Sequence, residues 1–530
     1  MARTTPGRRR DPRPAPPSGR ENAVVIGSGM GGLLAARVLL DHFDRVTLLD
    51  RDRFPESPAH RSGAPQSYHA HGLLLRGREI IEALFPGIEE DLRAAGATVE
   101  RDRVPFQVVS PFGPLPLMSI DYEFGVYSRF LLEWQIRERL AAHSRLRLLG
   151  GTEVVGLDTG GPAARPGSDR VTGVRTRHRG ADIGAISVLA ADLVVDASGR
   201  RSKAPDWLRE LGYGEVAEET ITSGIGYASR FYAKPDGFPG DWSGIVVNGR
   251  APDNPRSGLV LGIEKDQWHV TLGGSAGAAP PTDEAGFLRW ARDLPDPTVY
   301  ECIRIARPLT PIRGHRTLTN RLRHFERLAR WPSGFVVTAD AVCAFNPIYG
   351  QGMTVAATDA LVLDECLRDH ADPPRGDVRP HPARTRPGFE REFQRRLAKN
   401  VATAWMVASS EDLRWPGTAL HGARPRRSGK AARRWIDLVL RAAVADPHLA
   451  ERYFNLIMMM APPATLFGPR VLAHVARTAI AGRLGVPSRE FGLTDASLAA
   501  VRAFPDARPE PGDGPAAPGP KAPGQHRAVT

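Results

Sequence analysis

The apolar positions of this chain fall into two rhythms, one at each end, separated by a third in the middle. Near the start a continuous apolar run, Ala23-Val-Val-Ile26, leads through glycines into an Ala/Leu-rich stretch from Leu33 to Leu40, and Val46-Thr-Leu-Leu49 follows. Short unbroken runs of this kind predict buried strands, and the stretch between them a helix, so residues 23 to 50 read as a β-α-β unit. Tyr127 to Leu146 reads as a helix, with Ser128 as its N-cap and Phe130, Leu131, Trp134, Ile136 and Leu140 on its apolar face. Residues 151 to 195 read as strands around a Gly/Pro-rich loop at 159 to 169 and end in Leu193-Val-Val195. Between about 205 and 330 the pattern turns to β, with strands at Gly226 to Tyr232, Gly244 to Val247, Gly258 to Glu264 and Trp268 to Gly273. Lys265-Asp266-Gln267 joins the last two as a hairpin. From 353 onward helical spacing dominates, at Met353 to Leu367, Glu390 to Val407, Arg433 to Val444, Ala450 to Met460 and Arg470 to Ala481, and no internal repeat is visible.

Composition narrows the class. A chain of 530 residues exceeds what one hydrophobic core usually holds, so subdomains are expected. Residues 1–21 and 506–530, rich in Pro, Gly, Arg and Ala, read as disordered tails. The net charge of +12 draws partly on six arginines among the first twenty residues, and no basic, aromatic-rich module follows, so nucleic acid is not an expected partner. Cys302, Cys343 and Cys366 match no disulfide or zinc spacing and suit a reducing cytoplasm. No apolar region follows the N-terminal arginines as a signal would require, and no run reaches the ~18 apolar residues of a membrane span. The strongest apolar run, Tyr453 to Ala461, stops at Pro462-Pro463. Peripheral contact with a membrane stays open.

Three motifs carry the chemistry. In the first, Gly27 allows a tight turn, Gly29 lets the backbone approach a pyrophosphate and Gly32 brings the helix close to the sheet. The helix that starts near Met30 directs unpaired N–H groups and a positive dipole end at the phosphates. Asp50, with Arg51 beside it, closes the next strand at the spacing of about 20 residues suited to a carboxylate on ribose hydroxyls. In the second, Asp196 ends an apolar strand before Ser198-Gly199, either at a ligand-binding sheet edge or in an ordinary turn. In the third, Asp340 ends the strand Phe335 to Thr338, where it can accept hydrogen bonds from a sugar-alcohol chain. Asn346-Pro347 breaks the backbone, and Gly350-Gln351-Gly352 opens a second helix whose dipole would favour the negative charge of a reduced flavin. Together they describe an α/β protein with a Rossmann-like FAD-binding domain, an inserted β-sheet substrate domain and a C-terminal helical region. The expected divisions are 22–205 and 331–370 for FAD, 206–330 for the β-rich domain and 371–505 for the helices.

These motifs resemble the FAD-dependent monooxygenases typified by para-hydroxybenzoate hydroxylase. Phe54-Pro55, Arg61-Ser-Gly-Ala-Pro-Gln66, His69-Ala-His71, Leu84-Phe-Pro-Gly87, Ser128-Arg129 and Ala341 to Gly352 further resemble the bacterial epoxidases of polyether biosynthesis, of lasalocid and monensin type. The likeness spans roughly residues 22 to 480. It implies that Gly27, Gly29 and Gly32 hold the pyrophosphate, Asp50 the adenosine ribose, Arg129 the phosphates or ribityl chain and Asp340 the ribityl hydroxyls. Pro347, Gly350 and Gly352 then line the isoalloxazine, Gln351 is a further cofactor-binding residue, and Arg61, Gln66, His69 and His71 stand near flavin or substrate. One departure from the resemblance is Ala339, where the family has glycine before the aspartate. The His69/His71 pair invites a metal reading, but nothing nearby completes a ligand set, and no metal is expected.

What the resemblance implies is oxygen transfer from a flavin C4a-hydroperoxide, with non-covalent FAD, NADPH or NADH as donor (direct or through a separate reductase) and O2 as co-substrate. No catalytic side chain is then required, and no convincing Ser, His or Cys triad is present. Epoxidation of an alkene in a large apolar polyketide or terpenoid is the first expectation, and hydroxylation the second. A reductase acting on isoprenoid or polyene double bonds is the alternative; a non-redox FAD-binding cyclase or structural flavoprotein is weaker. A halogenase would need a lysine in the first third of the chain, and the first lysine is Lys203. Tyr227, Phe231 and Tyr232 on the β segment, with Trp405, Met406, Phe454 and Met458 to Met460 from the helical end, are expected to line the substrate pocket.

Overall fold

The computed structural model describes residues 21–483, apart from 62, 64, 101–105, 117–123, 161–169, 180–185, 239–241, 371–387 and 423–428, together with residues 499, 501–504 and 506. Most of both tails, most of the 159–169 loop and the side chain of Gln66 lie outside the described residues.

In chain order the elements that matter are β1 (Asn22–Ile26), α1 (Met30–Leu39), β2 (Arg45–Leu49), β3 (Phe106–Ser110), α2 (Arg129–Ala141), β4 (Leu146–Leu149) and β5 (Leu193–Asp196). Then come β6 (Glu218–Ala233), β7 (Gly244–Val247), β8 (Arg256–Ile263), β9 (Gln267–Gly274), β10 (Arg313–Arg323) and β11 (Phe335–Val337). The C-terminal part holds α3 (Gly352–Asp369), α4 (Phe389–Asp412), α5 (Gly429–Ala443), α6 (Pro447–Ile457) and α7 (Pro469–Arg483).

The apolar runs pair as a five-stranded parallel sheet in the order β11-β5-β1-β2-β4. Strands buried on both faces need such runs, and Val24, Val25, Val194, Val195 and Phe335 are almost wholly buried. The chain leaves this sheet after β5, crosses a second domain and returns more than a hundred residues later as β11, which pairs with β5. α1 and α3 pack against each other over the sheet.

The second sheet runs β10-β6-β9-β8-β7-β3 along its main path. The predicted hairpin is present, with Lys265 and Asp266 at φ 63° and 50°, both in the left-handed region that tight hairpin turns use. Its far edge corrects the sequence-based division of the chain: Phe106 to Ser110, expected within the FAD-binding segment 22–205, pairs in parallel with β7, Phe106 opposite Gly244. Helices Glu284–Arg292 and Thr298–Ile305 cover one face and bury Trp268, Tyr232, Trp242 and Phe287 in a second core.

Other boundaries shift for local reasons. The predicted helix 127–146 ends at Ala141, because Leu146 to Leu149 belongs to the parallel sheet. Ser128 is its N-cap, accepting from the Leu131 N–H at 3.1 Å. No helix among the described residues is long and apolar enough to cross a membrane.

Candidate functional site

The turn between β1 and α1 is built on close approach. Gly27 has φ +95°, and a Cβ added there would come within 2.7 Å of the Ala197 carbonyl, beside the second motif. A Cβ on Gly32 would stand 1.7 Å from the Gly27 oxygen, so helix and turn can only meet at glycine. At Gly29 an added Cβ would meet nothing within 4 Å. The constraint there is not the chain's own packing, as a backbone shaped for another molecule's approach requires.

The third motif meets the first. A Cβ on Gly31 would come within 2.4 Å of the Ala339 methyl, and Ala339 itself stands at φ +54°. The methyl that departs from the family pattern therefore points at α1. The Thr338 N–H donates to the Asp196 carbonyl at 3.0 Å, which completes the junction of all three motifs.

Their two aspartates behave differently. Asp196 is fully buried; it accepts from the Ser198 N–H at 2.9 Å and the Ser202 hydroxyl at 2.5 Å, which fixes the turn at Gly199. Asp340 has no hydrogen-bond partner among the described residues. Burial raises its carboxyl above the usual range, and the Arg200 and Arg129 guanidiniums oppose the rise. Gly352, at the head of α3, is close enough that its added Cβ would lie 3.9 Å from Asp340 Oδ1. In the same first turn Gln351 Oε1 and Thr354 Oγ1 are buried without partners among the described residues. An uncommitted carboxylate and the orphaned Gln351 oxygen beside a helix N-terminus fit a polyhydroxy ligand that carries both donors and negative charge, whereas Thr354 Oγ1 lies against Gly77 of the neighbouring helix.

Asp50 is more heavily engaged than its spacing suggests. It accepts from the Ser28 N–H at 2.8 Å, from the Ser28 hydroxyl and from the Asp52 N–H at 2.8 Å. Arg61 reaches Asp50 with Nη1 and Glu133 with Nη2, each at 3.2 Å, and Arg129 Nε donates to Glu133 at 2.8 Å. Glu133 is buried; burial works to raise its carboxyl, but the two arginines prevail and hold it below the usual range. Sequence reading missed Glu133, although its spacing of four residues from Arg129 on one helix carries the signal. Arg51 is exposed past the end of β2.

The loop from Asn346 to Gly350 links this region to the second sheet. The Ile348 N–H donates to Tyr227 Oη at 3.0 Å. Asp412, the fully buried last residue of α4, accepts from Asn320 Nδ2 at 2.6 Å, from Asn346 Nδ2 at 3.4 Å and from the Tyr349 hydroxyl. Burial pushes the Asp412 carboxyl up to about 6, and these donors oppose it. Pro347 lies between these anchors, and Gly350, at φ +63°, follows the last of them. Sequence reading did not find Asp412, which lies sixty residues from the loop it holds.

One face of β6 and β9 turns toward the loop 60–71. Tyr227, Ser229 and Phe231 alternate onto that face, whereas Tyr232 points the other way, into the second core. That removes Tyr232 from the expected pocket. Phe231 stacks on His269 at 4.1 Å and shares a cluster with Leu261, Ile263, Phe454, Met458 and Met460, so the sheet and the C-terminal helices do meet there. Trp405 and Met459 instead pack on the first core. His69 Nδ1 is 2.8 Å from Ser229 Oγ, and His71 Nδ1 lies 2.7 Å from the His69 carbonyl. Burial lowers both imidazoles, His69 to about 4. Among the described residues no cluster of three or more His, Cys, Asp or Glu could hold a metal ion.

No protein-family model matches the chain. Protein Rv3254 of Mycobacterium tuberculosis is 33% identical over 472 residues, covering 86% of this chain and 94% of that protein. Kynurenine 3-monooxygenase of Salinispora arenicola is 28% identical over 383 residues, 67% of this chain and 74% of its own length. A triple mutant of the flavin-dependent brominase Bmp2 has a similar structure, with TM-score 0.57, 14% identity and coverage of 87% and 99% of the two chains. PqsL of Pseudomonas aeruginosa, a probable FAD-dependent monooxygenase, gives TM-score 0.51 at 16% identity, covering 74% and 97%.

Proposed function

The chain belongs to the family of protein Rv3254 and has the fold of the flavin-dependent monooxygenases and halogenases, and on that premise we propose that it is an FAD-dependent monooxygenase acting on a large, mainly apolar small molecule. The observation that carries this reading is the meeting of three distant motifs, Gly27 against Ala197 and Gly31 against Ala339, with the uncommitted Asp340 carboxylate at the head of α3.

FAD, reduced by a nicotinamide directly or through a separate reductase, supplies the activation of O2 and the transfer of one oxygen atom. The chain binds and orients. Gly27, Gly29 and Gly32 would hold the pyrophosphate at the N-terminus of α1. Ser28 and Arg61 hold Asp50 in place, where it would bind the adenosine ribose, and Asp340 would bind the ribityl hydroxyls. The Asn346–Gly350 loop, anchored by Tyr227 and Asp412, would hold the isoalloxazine, and the Phe231–Phe454 cluster would keep water from the substrate side. Among oxygen transfers, the likeness of residues 54–87 and 341–352 to the polyether epoxidases favours alkene epoxidation. Halogenation draws support from fold alone, and the chain has no lysine before Lys203.

The test is to purify the protein, release its chromophore with acid or heat, then follow oxygen uptake with NADPH or NADH and weigh products from polyene substrates. The expected results are FAD entirely in the supernatant, oxygen consumption and a product heavier by one oxygen. A product that gains only hydrogen makes the enzyme a reductase, and a colourless protein without oxygen uptake ends the proposal.

A further inference from the structure

Two hydroxyls and one imidazole run in a line from the 65–71 turn across the second sheet. The Ala70 N–H donates to Thr271 Oγ1 at 2.9 Å, Thr271 Oγ1 lies 2.7 Å from Ser229 Oγ, and Ser229 Oγ lies 2.8 Å from His69 Nδ1. All three side chains are buried. The backbone N–H can only donate, and that sets the direction of the line. Thr271 accepts from Ala70, so its own proton needs an acceptor, and Ser229 is the one within reach among the described residues. Ser229 then donates its hydroxyl hydrogen bond to His69 Nδ1. Reversing the line would leave the Thr271 hydroxyl proton buried without an acceptor, which is costly.

A His69 that accepts at Nδ1 carries its proton at Nε2. That nitrogen has no hydrogen-bond partner among the described residues. Its ring stands 5.8 Å from the Tyr227 ring, whose hydroxyl holds the Asn346–Gly350 loop, and 5.9 Å from the His315 ring, which puts the imidazole beside the junction of sheet and flavin loop. We propose that His69 is a substrate-orienting donor, presenting Nε2–H to a carbonyl or carboxylate oxygen of an otherwise apolar substrate. This deepens the monooxygenase reading and rests on it for the identity of the site. The imidazole remains a neutral donor through the physiological range, because burial and the nearby His315 keep its proton affinity low. A directional donor in a largely apolar site fixes which end of a long chain enters first. Tyr227 and Phe231 offer bulk without that directionality, and His315, whose ring lies 5.9 Å from that of His69, is exposed.

The experiment uses the full-length FAD-loaded protein labelled with 15N-histidine. The expected result is a His69 signal of the Nε2–H tautomer, neutral from about pH 5.5 to about 7.5, the range across which a free histidine titrates, that becomes a tautomer mixture in Ser229→Ala. Benzoate, as an acceptor probe with an apolar body, should shift that signal and perturb the flavin spectrum, whereas benzylamine should do neither. His69→Phe should weaken benzoate binding about tenfold or more, and His69→Gln, whose amide can donate from a similar position, should recover most of it. An Nδ1–H tautomer, a protonated ring, or equal response to benzoate and benzylamine overturns the proposal. Because the tautomer is read without turnover, a protein that retains no FAD defeats the monooxygenase reading while the histidine assignment is still decided by its own spectrum.

Discussion

Gly31 and Ala339 are paired across the interface of α1 and the third motif: the alanine methyl occupies the place where a side chain on Gly31 would lie, 2.4 Å from that hypothetical Cβ. Ala339 also stands at φ +54°, where an alanine costs roughly 1 kcal/mol relative to glycine. Gly31→Ala should therefore destabilise the protein by about 1–3 kcal/mol through overpacking. Ala339→Gly in the same chain should restore most of the loss, a coupling that a double-mutant cycle by denaturant unfolding reads directly. Additive effects of the two substitutions would show that the contact does not matter.

Asp340→Ala and Asp196→Ala should fail in different ways. Removing the uncommitted Asp340 should cost FAD affinity about 1.5–3 kcal/mol while leaving the melting temperature of the flavin-free protein near normal. Removing Asp196 strands the Ser198 N–H and Ser202 hydroxyl inside the fold, so the melting temperature should fall first. Equal cofactor occupancy in the two purified variants would contradict the division of labour.

Asp412 gives a pH signature. Its carboxyl is raised to about 6 in the folded state, above its ordinary value near 3.8. The folded protein thus holds a proton that the unfolded chain has already released, and stability should fall as pH rises from about 4 to about 6, then level off. Asp412→Asn lacks that proton, so the stability gap between wild type and variant should narrow over the same interval. A gap independent of pH would place the Asp412 carboxyl in the ordinary range.

Phe231→Ala should change substrate selectivity with FAD occupancy and basal oxygen uptake near normal, since Phe231 lies on the sheet face shared with Phe454 and Met458. Met459→Ala should instead lower stability, because Met459 packs on the first core. Kinetics on a panel of polyenes, beside thermal melts of both variants, separates the two. Loss of FAD in the Phe231 variant would make that residue core.

The parallel sheet was legible because strands buried on both faces must be unbroken apolar runs, and β1, β2, β5 and β11 are all such runs. Glycine spacing located the first motif, since only a side-chain-free residue survives the contacts of 1.7 to 2.7 Å at Gly32 and Gly27, and in the third motif the φ of +63° at Gly350 favours glycine. Asp412 was hidden for the opposite reason: a buried carboxylate takes its meaning from partners brought in by tertiary folding, and nothing in its own neighbourhood marks it. Glu133 was half visible, since Arg129 stands four residues before it on one helix, but its second partner, Arg61, arrives only through tertiary folding. The same limit applies to Tyr227, Phe231 and Tyr232. Alternation along a strand shows that they divide between two faces, but only the sheet's surroundings decide which face is pocket and which is core.

The strand Phe106–Ser110 lies in the chain's first third yet completes the sheet built from residues 218–323. Together with the return of Phe335–Val337 to β5, it makes neither half of the protein severable: each needs a strand made by the other. A fragment that stops after β5 would present Phe106–Ser110 without its partner, an apolar edge open to pairing with other chains. Synthesis from the N-terminus passes through that state, so the nascent protein has to wait for Gly244–Val247 before its first exposed strand can be covered. Complementation between two separately expressed pieces, cut between residues 211 and 217, after the helix Ala204–Glu210 and before β6, should therefore recover a soluble protein where either piece by itself aggregates.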